Sequence, residues 1–157
     1  MIMKKIVCVL SIVLLCSFSV YCQNNNIMYD EYGPIYASKN DSIIVYITKE
    51  GRQLEIKQNQ VFFKGGDGCL KEYLRNNYYI PNERDDDYSY RVFFYILFDS
   101  NLRIKEIRGS VPSFKSIEES KKKRIKIYTK GLKKTKSKWK KITNQEWYIY
   151  CFSFVTD

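Results

Sequence analysis

The segment from Tyr88 to Phe98 constrains the fold more than any other part of the chain, because nearly all of its side chains are apolar or aromatic. It reads YSYRVFFYILF, so an extended strand here carries apolar side chains on both faces. Strands of that kind lie at the centre of a sheet. The turn Asp99-Ser100-Asn101 predicts that Leu102 to Arg108 pairs back against the strand. We therefore expect a central antiparallel hairpin in the core.

Elements on either side of this hairpin alternate between strands and helices. Ser42 to Thr48 is β-branched, and Leu54-Glu55-Ile56 alternates as a return strand, which predicts a second β-hairpin. Apolar residues at helical spacing predict helices over residues 65–77 and 116–130, with Leu132 continuing the apolar stripe and Gly131 ending the second helix. The aromatic run from Trp147 to Val155 predicts a closing strand. This order indicates an α+β domain with an antiparallel sheet.

The first 22 residues have the pattern of an export signal. Lys4 and Lys5 precede an uncharged run from Ile6 to Tyr21, whose 16 residues are fewer than the roughly 20 that a membrane-spanning helix needs. Polar residues follow from Gln23, so we expect a cleaved signal peptide over residues 1–22. An uncleaved membrane anchor and lipidation of Cys22 are the alternatives.

Cleavage would remove three of the five cysteines and leave Cys69 and Cys151. An even pair in an exported chain permits one disulfide, and two buried apolar thiols are the alternative. The sequence does not choose between them.

Histidine is absent from the chain. Its absence excludes Ser-His-Asp triads, Cys-His pairs and histidine-ligated metal sites. The adjacent carboxylates Asp85-Asp86-Asp87 lack the alternate spacing and the glycine of a calcium loop. We therefore expect no enzymatic activity, no cofactor and no bound metal.

Positive charge is concentrated between Lys115 and Lys141, where twelve lysines and Arg124 face only Glu118 and Glu119, a local net charge of +11. A segment this basic attracts lipid head groups, acidic polysaccharide or an acidic protein surface, whereas a solvated helix face followed by a mobile basic loop is the plainer interpretation. We do not expect nucleic acid as a partner, since lysine greatly outnumbers arginine and the chain carries an export signal. The candidate anion-binding residues are Lys121, Lys122, Lys123, Arg124, Lys133, Lys134, Lys136 and Lys138.

An ordered series of short motifs resembles the TonB C-terminal domain family. Phe63-Lys64-Gly65-Gly66 is similar to the family's Phe-x-Gly-Gly opening, and Asn77-Tyr78-Tyr79-Ile80-Pro81 to the step that follows its first helix. The run 98–107 is similar to the family's hydrophobic-Asp-turn-Ile strand pair, and Trp139-Lys140-Lys141 to its Trp-Lys-Pro. The family's turn glycine is Leu102 here, and its proline is Lys141.

The resemblance implies a small antiparallel sheet with two helices packed on one face, over residues 61–157, preceded by a segment 23–60 that contains the hairpin. It also implies that a partner protein of the envelope or outer membrane pairs with the edge of the last strand, without the family's energy-transducing role. The implied strand-edge residues are Trp147, Tyr148, Ile149, Tyr150 and Phe152. We expect an exported binding module of the periplasm or outer membrane. A basic module that binds anionic envelope polymers or lipid head groups is the alternative function.

Overall fold

The computed structural model describes residues 28–30, 32–38, 42–78, 90–111 and 119–156. The predicted leader and the carboxylates at 85–87 lie outside this part of the chain. The elements are, in order, β1 (Met28–Asp30), β2 (Gly33–Ser38), β3 (Ile43–Ile47), β4 (Gln53–Lys57), β5 (Val61–Phe63), α1 (Gly66–Tyr78), β6 (Tyr90–Asp99), β7 (Ile104–Ser110), α2 (Glu119–Lys133), a 3₁₀ turn (Lys136–Lys138), β8 (Trp139–Lys141) and β9 (Trp147–Thr156). The class is α+β, with two helices and small antiparallel sheets, as predicted.

β6 is the central strand of a three-stranded antiparallel sheet with the order β7-β6-β9. Ile96 lies opposite Ile107 of β7 on one side and Tyr150 of β9 on the other. The predictions of a central strand and of the β6–β7 hairpin are confirmed. Because side chains alternate along a strand, Phe94 and Ile96 point to one face of this sheet, while Tyr95 and Leu97 point to the other.

The two helices cover the Phe94 face of the sheet. Leu70 and Leu74 of α1 and Tyr128 and Leu132 of α2 are buried there in one apolar cluster. At the start of α1, Gly65 and the first helix residue, Gly66, adopt positive φ angles, which side-chain-bearing residues rarely adopt, and so allow the sharp entry into the helix.

Gly131 does not end the second helix as predicted, because α2 continues through it to Lys133. A Cβ atom at Gly131 would lie 2.7 Å from Cδ2 of Tyr78 and 3.1 Å from Cδ2 of Leu74, both on α1. The glycine therefore serves the close approach of the two helices.

A four-stranded antiparallel meander, β1-β2-β3-β4, covers the opposite face. The predicted β3–β4 hairpin is confirmed, with Ile44 opposite Ile56. Two strands that the sequence did not predict, β1 and β2, extend it. Apolar residues of the meander and of the central sheet form the second cluster: Ile35, Ile44, Tyr46, Leu54, Ile56, Tyr95, Leu97 and Ile149. The three-stranded sheet therefore lies between a layer of two helices and a layer formed by the meander.

A short two-stranded ribbon of β5 and β8 completes the fold. Phe63 lies opposite Trp139, and their rings meet edge to face at 5.2 Å between centroids. The Trp139 indole N–H donates to Oγ1 of buried Thr135 (3.0 Å), whose hydroxyl donates to the carbonyl of Leu132 (2.6 Å). The segment after α2 is therefore built into the fold, and the prediction of a mobile basic loop there is wrong.

Candidate functional site

β9 forms one edge of the three-stranded sheet, and within the described residues its only ladder partner is β6. An edge strand offers unpaired backbone N–H and C=O groups to another strand. The backbone groups of β9 that are offered depend on which residues of β6 bond to β9 and which bond to β7.

The β6–β7 turn fixes that alternation. The backbone N–H of Asp99 donates to the carbonyl of Arg103 (3.1 Å), so the backbone groups of Asp99 point toward β7. In an antiparallel sheet successive residues point their backbone groups to opposite sides. Phe98 and Phe94 therefore bond to β9, at Tyr148 and Phe152. The residues of β9 whose backbone groups point away from the sheet are Trp147, Ile149, Cys151, Ser153 and Val155.

The first half of this edge is covered by the chain itself. β4 packs on the meander side of the sheet and β5 on the helix side, and both lie beside β9. The connection Gln58-Asn59-Gln60 therefore passes around the β9 edge. Oε1 of Gln60 accepts a hydrogen bond from the Thr143 hydroxyl (2.8 Å), and its carbonyl accepts one from the backbone N–H of Ile142 (2.9 Å). Because both donors shortly precede Trp147, the crossing lies at the start of β9.

The open half of the edge runs from Cys151 to Val155. Cys151 is exposed, and Ser153 and Val155 are half-buried. Between them, Phe152 and Phe154 are anchored in the helix-side core, where Phe152 stacks on Phe94 at 5.4 Å between ring centroids. The strand is thus anchored in the core, and no described strand pairs with its outward backbone groups.

The five predicted strand-edge residues fall into two groups. Trp147 and Ile149 point their backbone groups outward but lie in the covered half, where the Arg52 guanidinium also stacks over the Trp147 ring (5.7 Å). Tyr148, Tyr150 and Phe152 direct their backbone groups to β6. Cys151, Ser153 and Val155 were missed, because only the register and the position of the crossing segment distinguish them.

Helix α1 is fastened over β9 by a side-chain hydrogen bond. The Tyr150 hydroxyl donates to a carboxylate oxygen of Asp67 in the first turn of α1. Burial, and then this carboxylate, raise the pKa of Tyr150 above its ordinary value. The hydroxyl therefore stays protonated and remains a donor across the physiological pH range.

The two cysteines are free thiols, and both are exposed. The side chains of Tyr150 and Phe152 pack on the helix side, so Cys151 points to the opposite face of the sheet. Cys69 belongs to α1 on the helix side. The sheet separates the two thiols, so the disulfide is not formed. Although Cys151 is exposed as a residue, burial raises the pKa of its thiol to about 12.

The basic side chains that the structure describes between residues 122 and 141 are all exposed, except that of Arg124. Arg124 is only 9% exposed and makes its contacts within the fold, so its assignment to an anion-binding surface is wrong. The side chain of Lys121 lies outside the described part. Two lysines lie over tyrosine rings of α1: Nζ of Lys138 is 4.6 Å from the Tyr73 ring centroid, and Nζ of Lys134 is 5.8 Å from that of Tyr78. The exposed lysines of the prediction are Lys122, Lys123, Lys133, Lys134, Lys136 and Lys138.

Arg108 of β7 is a buried charge that the sequence did not single out. Its Nε–H donates to Oδ2 of Asp30 (2.7 Å), and one Nη group donates to the other carboxylate oxygen and to the carbonyl of Gly33 (3.0 Å). The other Nη group donates to the carbonyls of Pro34 (3.1 Å) and Ile47 (2.6 Å). All five N–H donors are used, and they join the central sheet to three strands of the meander.

A second polar contact between the layers lies beside it. The buried hydroxyl of Tyr46 donates to Oε1 of Glu106 (2.8 Å), which also accepts the backbone N–H of Lys49 (3.2 Å). Burial, and then Glu106, raise the pKa of Tyr46 far above its ordinary value. Both contacts hold the meander in place against the central sheet.

The described residues contain no cluster of three or more side chains suited to hold a metal ion. Neither helix in that part of the chain has the length and apolar character to cross a bilayer. Compared with known proteins, the chain matches no family model, no curated protein and no solved structure.

Proposed function

We propose that this protein is an exported, non-enzymatic binding module of the bacterial cell envelope, which binds a partner protein by adding its strand to the edge of β9. The observation that carries the proposal is the open half of that edge. There the outward backbone groups of Cys151, Ser153 and Val155 lack a ladder partner among the described residues, while Phe152 and Phe154 anchor the strand below. Main-chain hydrogen bonds of this kind supply affinity in strand addition.

A fold similar to the TonB C-terminal domain is part of this proposal. The sheet order β7-β6-β9 with both helices on one face agrees with what the resemblance implies. Leu102, which stands at the position of the family's turn glycine, has a φ of +59°, a conformation for which glycine is favoured. Placement in the periplasm or at the outer membrane rests on the signal-like first 22 residues.

Amide hydrogen exchange tests whether the edge is open. In the free protein, the amides of Cys151, Ser153 and Val155 are expected to exchange quickly, because they have no ladder acceptor. Those of Phe152 and Phe154 bond to β6 and are expected to exchange slowly. The measurement is residue-resolved exchange by NMR. Equal protection of both sets would mean that another segment covers the edge.

Proline at Ser153 tests whether the edge binds a partner. Proline removes the outward N–H without removing a bond to β6, so Ser153→Pro should fold and lose the partner. Ser153→Ala is the matched control, since it changes the side chain and keeps the donor. Residues 23–157, which retain every described element, are immobilised and exposed to envelope extract. A partner retained equally by both variants, with both folded, would contradict strand addition.

A further inference from the structure

The outer face of the β5–β8 ribbon and the residue that follows it carry two of the three large hydrophobic residues exposed in the described part of the chain. Phe62 and Ile142 are 41% and 65% exposed, and Tyr32, in the turn between β1 and β2, is the one other large hydrophobic residue exposed in that part. Phe62 lies opposite Lys140, so both side chains point outward. Ile142 follows two residues after Lys140 and therefore shares its face.

Lysines surround these two apolar side chains. The backbone N–H of Lys64 donates to the carbonyl of Lys138 (2.8 Å), which continues the β5–β8 pairing by one step, and both side chains are exposed. Nζ of Lys64 reaches the carbonyl of Ser137 (2.9 Å). Lys64, Lys138 and Lys140 have no ion pair within the described residues. No described carboxylate neutralises their charge, although Nζ of Lys138 lies 4.6 Å from the Tyr73 ring centroid.

An exposed phenylalanine and isoleucine framed by lysines are suited to the boundary of an anionic bilayer. There the apolar side chains enter the layer between head groups and acyl chains, while lysine stems extend along it and place their ammonium groups at phosphates. A soluble polyanion would pair with the lysines but leave Phe62 and Ile142 in water. The two types of side chain together therefore favour a lipid surface over a polysaccharide.

We infer that the β5–β8 ribbon docks the protein on an anionic phospholipid surface, with Phe62 and Ile142 inserted and Lys64, Lys138 and Lys140 at the head groups. This surface is separate from the open half of β9, and the inference does not depend on strand addition. The sequence-based expectation spread the anion-binding residues from Lys121 to Lys138, whereas this inference shares only Lys138 with that set and centres the site on the ribbon.

Vesicle binding tests the charge component. Residues 23–157 are sedimented with vesicles of phosphatidylglycerol and phosphatidylethanolamine, and with vesicles of phosphatidylcholine alone. Binding is expected only to the first and should weaken as salt is added. Lys64→Gln with Lys140→Gln should lower the partition coefficient about fivefold per lysine. Lys126→Gln with Lys130→Gln makes the same change in net charge on exposed lysines of α2 and should have little effect.

Replacing the apolar pair tests insertion. Phe62→Ser with Ile142→Ser should lower the partition coefficient at least tenfold without changing heparin binding, while Tyr32→Ser should change neither. Ile142→Ser alone should give a smaller loss, which keeps the test valid if the double variant is unstable. If neither the Phe62→Ser, Ile142→Ser double variant nor Ile142→Ser alone changed vesicle binding, the inference would be overturned in favour of a soluble polyanion. Equal losses of vesicle binding in the two lysine double variants would also overturn the inference, since net charge alone would then explain binding.

Discussion

At the residue scale, the stability of the layered fold depends strongly on Arg108. Arg108 is 1% exposed, and the side chain of Asp30, with which it pairs, is also almost fully buried. Burial lowers the pKa of Arg108, but the hydrogen bonds and charge of Asp30 raise it above its ordinary value, so the guanidinium keeps its charge. Replacing one member leaves the other as an unpaired buried charge.

Arg108→Met is therefore expected to lower the free energy of unfolding by about 3–5 kcal/mol. Arg108→Lys should also be costly, because an ammonium group cannot donate five fork-shaped hydrogen bonds. Urea unfolding followed by circular dichroism measures both. In Arg108→Met with Asp30→Asn, part of the loss should be recovered, since no unpaired charge remains. A double variant that loses the sum of the two single losses would mean that the residues act independently.

At the element scale, the α1–α2 contact depends on the missing side chain of Gly131. Gly131→Ala would improve helix propensity by about 1 kcal/mol, but its Cβ would lie within 3 Å of the Tyr78 ring. We expect the packing conflict, about 1–3 kcal/mol, to exceed that gain and lower the melting temperature.

Gly68→Ala is the matched control for this change. Gly68 lies in α1, and a Cβ atom there would meet nothing within 4 Å. This variant should therefore melt slightly higher than the wild type, because only the propensity gain operates. Two variants that shift the melting temperature in the same direction would mean that the helices do not approach at Gly131 as described.

At the scale of the whole molecule, the two apolar clusters share the central sheet, because β6 contributes side chains to both. Ile44 belongs to the meander cluster, and Leu74 to the helix cluster. Ile44→Ala and Leu74→Ala should each lower the free energy of unfolding by about 2–5 kcal/mol within one cooperative transition. Ile142→Ala, on the surface, should change it by no more than about 0.5 kcal/mol.

Urea unfolding followed in parallel by tryptophan fluorescence and far-ultraviolet circular dichroism checks this expectation. The two signals should give the same midpoint in every variant. Separate midpoints, with Ile44→Ala shifting only one, would mean that the meander unfolds independently of the helices and the central sheet.

The sequence by itself determined those features whose signal lies within a few consecutive residues. Two apolar faces on the segment 88–98 required a central strand, and the turn after Asp99 required its hairpin partner. The spacing of Leu70, Tyr73 and Leu74 marked α1, and β-branched residues marked β3. In each case the period of apolar side chains reflects the geometry of one element, so no distant contact has to be known.

Only the tertiary structure decided how these elements pack against one another. A central strand needs cover on both faces, but nothing local in β6 says that a meander supplies one of them. Gly131 looks like a helix end until Tyr78 is placed against it, and Arg108 looks like an ordinary charged residue until Asp30 reaches it from 78 residues away. The open half of β9 depends on a hydrogen-bond register set by β6 and on the chain crossing at Gln58-Asn59-Gln60. These are contacts between residues far apart in sequence, and their free energies appear only when the layers are packed together.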